Sequence, residues 1–196
     1  MVPKVTRGSG LLEPFLAQQR ARMANRLIPA KIREGRILDV GCGSYPYFLA
    51  HTSFREKFAI DQHAAPPQLP DIRWFRLDLN SAPILPFDPG FFSAITLLAV
   101  VEHLDPRRMV ELFKECRRVI VPGGLLVLTT PAAWSAGLLR WMGRARLVSN
   151  EEIEEHVFAY TLPLIGWYFG AAGFEMVNLR FGYFELGLNL WATAVR

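Results

Sequence analysis

Short apolar runs that stop at or near an aspartate recur along this chain, and that recurrence limits its fold more than any other feature. RILDV (36–40) carries Asp39 near its end, KFAID (57–61) ends on Asp61, and IRWFRLD (72–78) ends on Asp78. Each run is too short for a core helix and has the branched and aromatic residues of a buried strand. A fourth run, FSAITLLAV (92–100), leads to Asp105-Pro106, a capping residue followed by a proline suited to the first helical turn. Met109, Leu112, Phe113, Cys116, Val119 and Ile120 then keep helical spacing up to the stop at Pro122-Gly123-Gly124. LLVLTT (125–130) reads as a fifth strand, and FEMVNLRF (174–181) and LGLNLWATAV (186–195) read as two closing strands joined by a short glycine-containing link. Strand, crossover, strand in series predicts an α/β fold, a mostly parallel sheet with helices on both faces. Ligands of such sheets sit beyond the carboxyl ends of the strands, where strand order reverses. Asp39, Asp61, Asp78 and the pair Glu102-His103 all fall at or just past such an end.

Two segments stand outside this alternation. Residues 1–35 form a basic, largely helical segment, with a helix over 11–28 marked by Leu12, Phe15, Leu16, Met23 and Leu27. Residues 132–172 form a helical insertion expected to cover a substrate, and carry Trp134, Trp141, Tyr160, Trp167, Tyr168 and the arginines Arg140, Arg144 and Arg146. Such aromatic density suits either an apolar acceptor pocket or an extra packed layer. The stretch QHAAPPQLP (62–70) holds three prolines, so the crossover there is a loop and not an ordinary helix. With 196 residues, one domain over 1–196 is expected.

The net charge of +4 is unevenly placed. Eight Lys and Arg in residues 1–36 stand against Glu13 and Glu34, giving +6 there and −2 for the rest. This basic segment reads as a solvated helix face, with peripheral contact to an anionic membrane surface kept open. Nucleic acid is disfavoured, because no aromatics are interleaved with the basic residues. No apolar stretch reaches the length of a membrane span, and two cysteines, Cys42 and Cys116, make neither a disulfide framework nor a metal-ligand spacing, so no metal is expected. A soluble protein of the cytoplasm is the expectation.

The sequence ILDVGCGSYPYF (37–48) carries the first chemistry. Gly41 and Gly43 allow a close approach that a β-carbon would forbid, so a ligand is expected against this loop. A dinucleotide-binding loop would place a third glycine where Pro46 stands, and Tyr45-Pro46 crowd the helix start that a pyrophosphate would use. Asp61 follows Gly43 by 18 residues, a position from which a carboxylate accepts both hydroxyls of a ribose.

The blocks LDVGCG (38–43), AID (59–61), RLDLN (76–80), LLAVVEHLDP (97–106), ECRRVIVPGGLLVLTTP (115–131) and AAGFEMVNL (171–179), in this order and spacing, resemble the class I S-adenosylmethionine-dependent methyltransferases. The closer likeness is to the small-molecule branch with the ubiquinone-biosynthesis type O-methyltransferases. The resemblance implies a Rossmann-like seven-stranded sheet of order 3-2-1-4-5-7-6 with the last strand antiparallel, and S-adenosylmethionine as cofactor. It implies that the backbone of Gly41, Cys42 and Gly43 runs beside the amino-acid part of the cofactor, with Asp39 ordering the loop; Tyr45, where this chain has its own residue, is expected to form part of the wall near the cofactor's carboxylate. Asp61 would hold the ribose, and Gln62 or His63 would cover the adenine. Asp78 would accept from the adenine amine with the Leu79 backbone beside it, and Leu98 and Ala99 would line the methionine end. The chain departs from the family at Tyr45-Pro46, in the proline-rich link that replaces a helix, and at Ser93, where many relatives carry an aspartate.

For the reaction, His103 and His156 are the candidate general bases, needed only if the acceptor is protonated at neutral pH. His103 has a second reading as a brace for its loop, and His156 as a surface or capping residue. The acceptor is expected to be a small molecule, a lipid or a sugar intermediate. Two rival readings remain beside this one, a non-catalytic partner subunit of the same fold and a nicotinamide-dependent oxidoreductase.

Overall fold

The computed structural model describes residues 12–62, 69–81, 83–135, 137 and 158–196. Seven strands form one sheet: β1 Arg36–Val40, β2 Glu56–Asp61, β3 Ile72–Arg76, β4 Phe92–Leu98, β5 Ile120–Pro131, β6 Leu179–Phe184 and β7 Asn189–Val195. Their spatial order is β3-β2-β1-β4-β5-β7-β6. β1 lies parallel to β2 and β4, and the β2–β3 and β4–β5 pairs are parallel as well. β7 runs antiparallel to both β5 and β6. The helices are α1 Glu13–Leu27, α2 Tyr47–Ala50, α3 Met109–Val119 and α4 Leu162–Ala171.

The central strands are buried on both faces, as near-continuous apolar runs require. One face carries Ile37, Ala59, Ala94 and Val127 against Ala21 and Ala24 of α1 and Phe48 and Leu49 of α2. The other carries Leu38, Val40, Ile60, Ile95, Leu97, Leu126 and Leu128 against Leu112, Phe113 and Cys116 of α3 and Ile165 and Phe169 of α4. Alternate residues of each strand thus serve opposite layers. At the β2–β4 end, Phe58 meets Phe87, Phe91 and Phe92 edge to face, with ring centroids 5.3–5.9 Å apart.

Several boundaries differ from the sequence reading. The buried stripe of α1 is Ala17, Ala21, Ala24 and Ile28, while Phe15 is exposed and Leu16, Met23 and Leu27 are only half-buried. Alanines at this spacing let the helix lie close on the sheet, which larger residues would prevent. β3 stops at Arg76, and the Leu77 amide turns to donate to the Asp61 carbonyl at 2.9 Å. β4 stops at Leu98 because Ala99 takes a left-handed φ of 56°. β5 begins at Ile120, not Leu125, with a register shift opposite Phe92 and Ala94. Its Pro-Gly-Gly step is held by Arg196, whose carbonyl accepts from the Gly123 amide at 2.7 Å and whose amide donates to the Gly124 carbonyl at 3.0 Å. β6 lies five residues beyond its expected start, and Gly182, read as a link, sits inside it. A β-carbon there would come within 2.6 Å of the Trp191 indole, so the glycine makes room for that ring.

Candidate active site

β1 and β4 are neighbours although the chain leaves β1 toward β2, so strand order reverses between them. The carboxyl ends of the two strands, with that of β2, build the candidate site.

The loop after β1 leans on β2. The amides of Gly41 and Cys42 donate to the Ile60 carbonyl at 2.8 and 3.3 Å, and the Gly43 amide donates to Asp61 Oδ2 at 2.8 Å. Gly41 and Gly43 both have left-handed φ, 72° and 73°, yet they serve different ends. A β-carbon on Gly41 would strike the Val100 methyls at 2.6–2.7 Å, whereas one on Gly43 would meet nothing within 4 Å. Gly41 therefore closes the loop onto the turn after β4, and Gly43, its amide held by Asp61, has open space at its α-carbon against which a ligand can lie. The helix that follows, α2, is a single turn of four residues. A helix that short supplies little dipole for a pyrophosphate. Tyr45 is half-buried in this loop and its carbonyl accepts from the Tyr47 amide at 2.8 Å.

Asp39 and Asp61 are both buried, 3% and 5% exposed, at the ends of adjacent strands. Asp39 Oδ1 accepts a 2.6 Å hydrogen bond from the Thr96 hydroxyl of β4. Burial pushes the Asp39 carboxyl up to about 7, the Thr96 hydrogen bond opposes that shift, and the charge of Asp61 adds to it. Cys42 is half-buried with its Sγ 3.6 Å from the Ile60 carbonyl. Burial first, and then Asp39 and Asp61, push its thiol far above the ordinary range, which makes it an inert loop residue. Two carboxylates beside an open glycine backbone suit a ligand that brings a cation and hydroxyl donors.

The other candidates line the same edge. Gln62 is exposed, and its carbonyl accepts from Arg76 Nε at 2.9 Å. Asp78 stands exposed two residues past β3, where it accepts from Ser81 Oγ at 2.5 Å and from the Asn80 amide at 2.9 Å. Those hydrogen bonds hold its carboxyl below the usual range. Leu79 buries its side chain in the core. Leu98 and Ala99 are half-buried at the end of β4, with the Ala99 amide donating to the Thr129 carbonyl at 2.9 Å. The left-handed backbone of Ala99 is a strained conformation for a residue with a β-carbon, of a kind that gathers at functional sites. Val101–His103 form a single 3-10 turn, with Glu102 buried and accepting from Thr130 Oγ1 at 2.9 Å, and His103 half-buried. His63 and His156 lie outside the described residues, as do Trp141, Arg140, Arg144 and Arg146. His51 lies away from this edge, its ring stacked on Tyr47.

The sequence reading gave no role to two residues that tie the site together, Thr96 and Asn80, and named Tyr160 only as one of the aromatics of the insertion. Thr96 fixes Asp39. Asn80 joins the loop after β3 to the turn after β4, its Nδ2 donating to the His103 carbonyl at 3.4 Å and its Oδ1 accepting from the Asp105 amide at 3.1 Å. Tyr160 is buried, donates its hydroxyl to the Val101 carbonyl at 3.2 Å, and accepts at its own carbonyl from the Ala133 amide. Among the described residues no cluster of ligating side chains could hold a metal ion, and no helix is long and apolar enough to cross a membrane.

A family profile described as a methyltransferase domain matches residues 12–179. The chain belongs to that methyltransferase family. Its fold is shared with solved S-adenosylmethionine-dependent methyltransferases. One from Archaeoglobus fulgidus is 15% identical with a TM-score of 0.69, covering 92% of this chain and 94% of its own. One from Mesorhizobium loti is 17% identical with a TM-score of 0.66, covering 92% of this chain and 100% of its own. Phosphoethanolamine N-methyltransferase 2 of Haemonchus contortus, solved with S-adenosyl-L-methionine, is 14% identical with a TM-score of 0.65, covering 91% of this chain and 52% of its own. No curated protein matches the chain. For this methyltransferase the family match favours the first functional reading over the nicotinamide one, in line with the one-turn α2.

Proposed function

We propose that the chain transfers a methyl group from S-adenosylmethionine to a small-molecule, lipid or sugar acceptor. The observation that carries this reading is the cradle at the β1–β4 reversal, where Gly43 has open space at its α-carbon, its amide meets Asp61, and Asp39 is buried near the end of the adjacent strand. The residues fit the cofactor. Gly41, Cys42 and Gly43 would hold its amino-acid part, with Asp39 as counter-charge to the ammonium and Tyr45 as a wall. Asp61 would accept from the ribose, Gln62 or His63 would cover one side of the adenine, and Asp78 would accept from its amine with the Leu79 backbone beside it. Leu98 and Ala99 would line the reacting end. The cofactor supplies a methyl group already activated by its sulfonium charge, so transfer is a direct displacement that needs alignment and exclusion of water.

His103 and His156 remain the proposed bases for an acceptor that must lose a proton. Trp134 and Phe158, 61% and 42% exposed, support an apolar acceptor, since both stand beyond the carboxyl end of β5, where the Ala133 amide binds the Tyr160 carbonyl. A cytoplasmic setting fits this reading. Calorimetric titration of the full chain with S-adenosylhomocysteine, the demethylated product, tests it: saturable binding is expected, and its loss in Asp61→Ala. Failure of the unaltered chain to bind S-adenosylmethionine or its product would overturn the proposal.

A further inference from the structure

Asp39 and Thr96 are register partners on β1 and β4, so the sheet itself brings hydroxyl and carboxylate together. Thr96 is wholly buried, and its single hydroxyl proton has two acceptors in reach: Asp39 Oδ1 at 2.6 Å and the Leu38 carbonyl at 3.4 Å. The shorter contact is a charge-assisted bond whenever Asp39 is ionised. The titratable group acting on this carboxyl is Asp61 on β2; the nearby Cys42 thiol, itself pushed upward by burial and by both carboxylates, stays un-ionised. Burial and Asp61 both favour protonating Asp39, and Thr96 is the hydrogen bond that opposes them.

We propose that Thr96 is a positioning residue of the cofactor site: its hydroxyl holds one oxygen of the Asp39 carboxyl group in the sheet and leaves the other oxygen for the cationic end of the cofactor. The inference rests on the cofactor reading above. It has a consequence that a packing role would not have. A cation held against Asp39 displaces its proton, so cofactor binding releases protons and tightens as pH rises through the titration of Asp39. Removing the hydroxyl moves that titration upward and weakens binding at neutral pH.

The test is titration of the full chain with S-adenosylhomocysteine over about pH 5.5–8.5, for the unaltered chain, Thr96→Val, Thr96→Ser and Asp39→Asn. The unaltered chain is expected to gain affinity through about pH 7. Thr96→Val, of similar shape but without the hydroxyl, is expected to bind about tenfold more weakly at neutral pH, with its affinity profile displaced to higher pH. Thr96→Ser is expected to restore both, and Asp39→Asn to flatten the profile. If Thr96→Val does not fold, Thr96→Ala takes its place. An affinity and pH profile unchanged in the variant lacking the hydroxyl overturns the inference, as does a pH dependence that survives Asp39→Asn. A failure of the unaltered chain to bind overturns the cofactor reading instead, so the two failures are distinct.

Discussion

The two halves of the sheet are built on different rules. From β3 to β4 the carboxyl edge is made of backbone and short polar side chains: Gly41, Gly43, Asp39, Asp61 and Asp78. From β5 to β6 it is made of bulk, with Trp134 and Tyr183 exposed and Tyr160 buried under Phe158 at a ring separation of 5.4 Å. The first half works by placing charge next to open backbone, and at Gly41 it has no room for an extra atom. The second works by packing, and it spreads its function over many interchangeable contacts. A binding site of the first kind is brittle and readable, and one of the second kind is robust and hard to read.

Substitutions should expose that contrast, the largest effect coming from Gly41→Ala. Its β-carbon would meet Val100 in a left-handed backbone, and a loss of about 2–3 kcal/mol is expected in chemical denaturation. Gly43→Ala meets no neighbour, so only the strain of its φ, about 1 kcal/mol, should appear in stability, while S-adenosylhomocysteine binding falls. Equal stability losses in the two would erase the distinction between them. Asp61→Ala removes the acceptor of the Gly43 amide, and a tenfold or greater loss of affinity, about 1.4 kcal/mol or more, should be seen by calorimetry.

Asp39 makes the brittle half pH-sensitive. Its folded-state carboxyl sits at about 7, above the unfolded value of about 4. The stability it contributes is therefore complete below about pH 4 and lost as pH rises through about 7. Asp39→Asn should stabilise the cofactor-free chain above neutral pH, by about 1–3 kcal/mol, and have little effect near pH 4, as thermal melts at the two pH values would reveal. In the packed half, Tyr160→Phe loses one hydrogen bond to the Val101 carbonyl. A loss of about 1 kcal/mol in stability, with cofactor affinity unmoved, is expected from paired melting and titration experiments.

The same contrast explains what could be read from residues alone. β1 was legible to its ends, because Gly35 and Gly41 bound a short run built on Ile37, Leu38 and Val40. Asp39 and Asp61 were legible because a strand end places whatever stands there. β6 was not: Phe174 looked like its start, but the Phe174 amide closes the end of α4 on the Phe169 carbonyl, and Gly182 looked like a turn because the ring it accommodates belongs to β7. Thr96 and Asn80 escaped notice for a related reason. Thr96 reaches a partner 57 residues away and Asn80 one 23 residues away, and neither contact exists until strand register and loop docking bring the pair together.

The placement of β7 bears on how the chain assembles. Residues 189–195 are the last of the seven strands to be synthesised, yet they lie between β5 and β6. β6 touches the sheet only through β7, so the ribosome releases it before it has a place to dock. Until β7 arrives, the long apolar strand β5 presents a bare edge, the kind of surface on which partly folded chains pair with one another. The β6–β7 hairpin then adds as a unit, late and over a long sequence separation, so a slow final folding step and the greatest hazard of aggregation should coincide there.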